Sequence, residues 1–144
     1  MSFLDRILGR RDAATRERLS LAADAVAREL AGNLELTAMF DQTHQAVVFE
    51  NAQFARHRGV LESEVHDAYT ELADVYARMP ETEDAMERRG PAASVRPEDR
   101  ALIERWEGDA RTAQRRLLED ARAAPPSLVS MLVRRLRGGT RTGR

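Results

Sequence analysis

Six apolar residues spaced by alternating fours and threes constrain this chain more than any other feature. Leu61, Val65, Ala68, Leu72, Val75 and Met79 follow one another at intervals of 4, 3, 4, 3 and 4 within VLESEVHDAYTELADVYARM. This is heptad spacing, which places all six on one narrow stripe of an α-helix. Tyr69 and Tyr76 lie beside the stripe, and Glu62, Glu64, Asp67, Glu71 and Asp74 take the other faces. Such a helix cannot cover its stripe alone. The segments before and after it must supply the other walls of a core.

The neighbours have matching patterns. Leu19, Ala23, Val26, Leu30, Leu34 and Ala38 form a stripe on a helix predicted over 13–43, with Asp12 as its N-cap. The stripe stays in phase through Gly32. Around Thr43 to Asn51 the periodicity stops, which predicts an irregular or extended connection. A short helix near Asn51–His57 follows, carrying Phe54, and Gly59 separates it from the heptad helix. Pro80 interrupts that helix or starts a new turn, and Arg88-Arg89-Gly90-Pro91 stops it. Pro97 suits the first turn of a third helix, with Glu98 and Asp99 at its positive end. Its stripe is Leu102, Trp106, Ala110, Ala113, Leu117 and Ala121, and pairs such as Glu107 and Arg111 are expected on its outside. Trp106, the one tryptophan, reads as a core anchor.

These patterns predict an all-α fold. Three main helices near 13–43, 60–88 and 97–123 would pack as an elongated antiparallel bundle, or coiled-coil hairpin, with short amphipathic helices at both ends. The division is an N-terminal amphipathic helix over 1–11, a bundle domain over 12–124, a basic amphipathic helix over 125–138 and a disordered tail over 139–144. The narrow central seam leaves room for a second copy, so self-association or a protein partner is expected.

Charge divides the chain in the same way. All 23 basic residues are Arg and none is Lys, so no Schiff-base or P-loop lysine exists. The net charge of −1 hides an asymmetry. Residues 127–144 contain Arg134, Arg135, Arg137, Arg141 and Arg144 and no acid, giving +5. Residues 1–11 set Arg6, Arg10 and Arg11 against Asp5, giving +2. The body therefore carries −8 (−1 − 5 − 2). At both ends the arginines flank an apolar face: Phe3, Leu4, Ile7 and Leu8 beside Arg10 and Arg11, and Leu128, Met131, Leu132 and Leu136 beside Arg134, Arg135 and Arg137. Each end reads as a foot on an anionic membrane or partner protein, or as a segment packed on the bundle. The acidic body and the lack of aromatics in the tail disfavour nucleic acid. No apolar run reaches 18 residues and the opening residues do not read as a signal peptide, so the expected location is cytoplasmic, at most peripheral to the inner face of the cell membrane.

Little here points to catalysis. With no Cys, thiolate sites are excluded. His44, His57 and His66 lack paired metal-ligand spacing, and His66 with Glu62 is an ordinary pairing on a solvated helix. No phosphate-binding glycine loop or nucleophile motif is present. The expectation is a non-enzymatic scaffold or adaptor with no cofactor and no metal; the alternative is a soluble protein–protein interaction module.

The stretch NLELT…VVFENAQFARHRGVLESEVHDAYTELADVYARM resembles a pattern in uncharacterised bacterial and archaeal proteins with membrane-linked helical hairpins. Asn33, Leu34, Glu35, Phe49, Gly59, Leu61 and Tyr76 occupy the matching places. The resemblance implies a helical hairpin and a link to membranes, with no assigned activity. Those proteins often begin with a transmembrane anchor; here Met1–Arg11 would be a reduced substitute.

Overall fold

The computed structural model describes residues 13–88 and 94–123; most of the described residues are helical and none is in a strand. We number the helices α1 (Ala13–Thr43), α2 (Ala52–Glu64), α3 (His66–Ala77), α4 (Met79–Glu87) and α5 (Pro97–Arg122). The amphipathic ends expected over 1–11 and 125–138, the Asp12 cap and the tail lie outside the described residues.

The heptad stripe forms the centre of the core. Leu61, Val65, Ala68, Leu72, Val75 and Met79 are all buried, from 0% to 5% exposed. They are covered within the chain, so this seam is not the free face for self-association that the sequence suggested. The helix bearing it is not continuous. It breaks at Val65 (φ −134°, ψ 56°) and again at Arg78 (φ −90°, ψ −2°). The second break has a clear cause. Pro80 has no N–H to donate to the Tyr76 carbonyl, and its ring would strike that carbonyl in a straight helix. The chain turns at Arg78 instead, and its N–H bonds back to the Asp74 and Tyr76 carbonyls. Pro80 then sits in the first turn of α4, where a missing N–H costs nothing. Val65 is next to neither Gly nor Pro. Its backbone still bonds both ways, to the Leu61 carbonyl and from the Tyr69 N–H, so the 4-3 spacing survives the bend.

Gly59 does not separate two helices. It lies inside α2, which runs from Ala52 through Glu64 rather than ending near His57. Gly weakens a helix but does not break one when flanking residues keep good propensity.

α1 spans its predicted range but turns a different face inward after Leu30. Asn33, Thr37 and Phe40 are buried, whereas Leu34 is half-buried and Ala38 exposed. Leu19, Val26, Asn33 and Phe40 recur every seven residues and define the true inner seam. α1 ends at His44, whose φ of 55° is the left-handed geometry of a helix stop.

α5 closes the core with Ile103, Trp106, Ala110, Ala113 and Leu117. Its contacts with α1 run in reverse order: Arg100 reaches Asp41, and Gln114 donates to the Ala27 carbonyl. Against α3 they are also reversed, from Arg78–Asp109 to the Arg116–Glu71 ion pair. Trp106 is 1% exposed and donates its indole N–H to the Val75 carbonyl at 3.0 Å. That carbonyl is in the last turn of α3, among those the break at Arg78 deprives of helical partners. Asp99, in the first turn of α5, accepts from Arg96 at 2.7 Å and from Arg88 at 3.0 Å. The Arg96 bond is the larger reason its carboxyl is held below the usual Asp range, with Arg88 adding to it.

A Cβ placed on Gly59 meets no atom within 4 Å. Gly59→Ala should therefore stabilise the protein by roughly 0.5–1 kcal/mol, through helix propensity alone. Urea denaturation of both proteins would read this, and a destabilised variant would contradict the placement of Gly59 inside α2.

Candidate functional site

Eight residues between α1 and α2, 44 to 51, carry no regular structure. An extended segment has no ladder or helix to satisfy its backbone, so it needs partners elsewhere. Two side chains supply them at its end, and a third takes the first amides of α2. Asn33, fully buried on α1, donates Nδ2–H to the Glu50 carbonyl and accepts the Glu50 N–H on Oδ1, both at 2.8 Å. Glu83, on α4, accepts the Phe49 N–H at 2.9 Å. Glu29, on α1, accepts the Gln53 N–H at 2.7 Å and the Phe54 N–H at 3.1 Å.

The Glu29 contacts are helix capping from a distance. Asn51 is the N-cap of α2 but makes no side-chain cap bond. Gln53 and Phe54 carry two of the amides a helix leaves open at its start, and a carboxylate there also meets the positive end of the dipole. The same carboxylate accepts the Tyr76 hydroxyl at 2.8 Å. Burial is the main reason the Tyr76 phenol is pushed well above its usual pKa, and its bond to Glu29 adds to the effect. Phe54 stacks on Tyr76 at 4.2 Å and on Tyr69 at 6.0 Å, and Phe49 stacks on Trp106 at 4.5 Å. Tyr69 in turn accepts from Arg58 at 3.2 Å. Asn33 and Glu83 hold the connection and Glu29 holds the start of α2 against α1 and α3, so the geometry is that of a clasp.

A second feature lies on the outer flank of α1. Leu21 is 64% exposed and Met39 55%. Between them Ala25 and Leu36 are half-buried, and Arg28 and Gly32 are exposed. The spacing 21, 25, 28, 32, 36, 39 repeats the fours and threes of a helical seam, offset from the buried one. Ala25, Gly32 and Leu36 form one wall of an open groove of about 670 Å³, with Glu50, Ala52 and Gln53 opposite. The groove floor is apolar because Ala25, Gly32 and Ala52 leave backbone and methyl surface there. A second groove of about 520 Å³, between α3 and α5, holds Glu71, Asp74, Arg78 and Asp109. Arg78 pairs there with Asp74 at 3.0 Å and Asp109 at 2.8 Å.

Glu107 corrects a sequence expectation. It is only 9% exposed, not on the outside, and faces α1 near Thr37 and Asp41. Arg111 does pair with it, at 3.6 Å. Burial, then the nearby Asp41 charge, raises its carboxyl above the ordinary 4.5.

The residues the sequence singled out, Phe3, Leu4, Ile7, Leu8, Arg10, Arg11, Leu128, Met131, Leu132, Arg134, Arg135, Leu136 and Arg137, all lie outside the described residues. The clasp residues Glu29, Asn33 and Glu83 were not foreseen. One signal for Asn33 was available: it occupies a seven-residue repeat otherwise made of Leu19, Val26 and Phe40. Among the described residues no group of His, Asp and Glu is placed to hold a metal ion, and no helix is long and apolar enough to cross a membrane. Comparison with family models, with curated proteins and with solved structures found no match.

Two measurements follow from these geometries. Glu29→Gln swaps one accepting oxygen for an NH2 that cannot accept from α2. It should lower unfolding stability by about 1–3 kcal/mol, read by urea denaturation; an unchanged midpoint would contradict the capping role. Glu107 gives a pH dependence of known sign. The folded state holds its proton more tightly than the unfolded chain, so stability falls as pH rises from 4.5 through the higher folded value. Glu107→Gln should remove that decline and be the more stable protein at neutral pH, as measured by denaturation between about pH 4 and 8.

Proposed function

We propose that this protein is a non-enzymatic helical scaffold or adaptor, an elongated three-helix antiparallel bundle that works through its surfaces. The exposed apolar seam on the outer flank of α1 carries this reading. Leu21 and Met39 stand clear of the core, Leu36 is half-buried with part of its surface packed against it, and helix surfaces patterned this way dock other helices. The clasp supports it from the other side, because its carboxylates and phenol serve the backbone and each other.

The division of charge favours a location for the scaffold. With +5 over residues 127–144, +2 over 1–11 and −8 between them, the two ends are suited to an anionic bilayer surface and the body is suited to stand off it. The resemblance to membrane-linked helical hairpin proteins points the same way. In this reading Phe3, Leu4, Ile7, Leu8, Leu128, Met131, Leu132 and Leu136 enter the headgroup boundary, and Arg10, Arg11, Arg134, Arg135 and Arg137 meet phosphates. The protein is then cytoplasmic and peripheral to the inner face of the membrane. The alternative is a soluble protein–protein interaction module whose ends never meet lipid.

Flotation separates the two. The full chain should rise with vesicles of phosphatidylcholine mixed with phosphatidylglycerol, stay down with phosphatidylcholine alone and detach at high salt. Reversing Arg134, Arg135 and Arg137 to Glu should abolish flotation. A full chain that stays down with both vesicles discards the membrane location and leaves the soluble module.

A further inference from the structure

We infer that the protein stands upright on an anionic membrane, meeting it with the end of the bundle where α1 begins and α5 ends. This rests on the membrane location proposed above and names the surface that faces the lipid. The fold brings the two basic segments, far apart in sequence, to that one end. α5 runs against α1, from Arg100 beside Asp41 to Gln114 on the Ala27 carbonyl. From the second contact α1 has 14 residues left back to Ala13, and α5 has eight left to Arg122, in the same direction. The two helix ends therefore differ in level by six residues, about 9 Å. The junction of α2 and α3 lies there too. α2 leaves the level of Glu29, halfway along α1, and α3 starts beside the last turns of α5, where Arg116 pairs with Glu71. Residues 1–11 and 125–144 thus both join the bundle at one end.

The charge of the body is divided along the same axis. In the half nearest that end, residues 13–27 carry 0, 56–73 carry −2 and 112–123 carry +1, a net −1. In the far half, residues 28–55 carry −3, 74–88 carry −3 and 94–111 carry −1, a net −7. Glu81, Asp84 and Glu87 on α4 are exposed there, without an ion-pair partner among the described residues. The basic segments add +2 and +5 to the near end, which outweighs its acids. Length then decides the pose. The 31 residues of α1 span about 46 Å, whereas the Debye length at physiological salt is about 8 Å. A body lying flat would hold the −7 of its far half against anionic headgroups, which repel it. Standing upright lifts that half roughly 20 Å or more clear, beyond two Debye lengths, while the basic segments stay at the surface. The α1 seam from Leu21 to Met39 then rises along the membrane normal, open to a partner over its length.

The test uses the full chain, which has no cysteine of its own. Ser20→Cys and Gln42→Cys replace exposed residues near opposite ends of α1, and each takes one fluorescent label. Both labelled proteins should keep the circular dichroism of the parent, since neither side chain is in the core. Each is bound to vesicles of phosphatidylcholine and phosphatidylglycerol that carry an energy acceptor on a fraction of their headgroups. Transfer should be about threefold or more stronger from position 20 than from position 42, because the two lie 22 residues, about 33 Å, apart along the helix. Equal transfer from both positions on bound protein means that the body lies flat, and it overturns the inference. Stronger transfer from position 42 also overturns it, because the acidic end then faces the lipid. In both cases the membrane location stands. Protein that stays off the vesicles overturns the inference together with that location, so the two failures are distinguishable.

Discussion

A single carboxylate holds together parts of this fold that are distant in sequence. Glu29 accepts from the first amides of α2 and from the Tyr76 hydroxyl on α3. It thereby fixes where the chain re-enters a helix after the extended connection, and how that helix sits against α1. Charge-assisted bonds of this kind are stronger than neutral ones, and here the helix dipole works in the same direction. Asn33, one turn further along α1, pairs with both backbone groups of Glu50 as a neighbouring strand would. A polar pair on the inner flank of one helix thus takes the place of the loop's missing secondary structure.

The second organising constraint is Pro80. It forces the break after α3, and the break opens carbonyls that a continuous helix would have satisfied. The Trp106 indole takes one of them, and its ring stacks on Phe49 from the extended connection. One covalent restriction therefore explains the change of direction into α4 and the open carbonyl that the tryptophan bonds. The core around this point combines apolar packing with directed bonds, which selects one arrangement of the helices over close competitors.

Much of this was legible in the sequence because burial follows periodicity. The heptad stripe, the C-terminal end of α1 and the start of α5 at Pro97 all come from apolar spacing and from proline chemistry, which act locally. What escaped is what depends on partners. Asn33 and Thr37 are polar, so pattern reading places them outside; inside, Asn33 is satisfied by Glu50 and Thr37 by the Leu34 carbonyl of its own helix. Glu107 looked like half of a surface pair with Arg111 until α1 covered it. Gly59 looked like a boundary because an isolated glycine carries the same signal whether or not the helix continues. The bend at Val65 has no sequence marker at all. The outer seam of α1 was hidden by the inner one, since two stripes offset by a single residue merge into one broad apolar helix when only composition is counted.

The clasp also changes what the connecting segment is. Irregular segments usually exchange their amide hydrogens within moments, because solvent reaches them through small local openings. The Phe49 and Glu50 amides instead point at Glu83 and Asn33, on two different helices. Each hydrogen leaves only when its side-chain acceptor lets go, and Asn33 is fully buried. In isotope exchange these two amides should therefore be slower than those of their neighbours in the same stretch, and they report on how the segment is held between the helices.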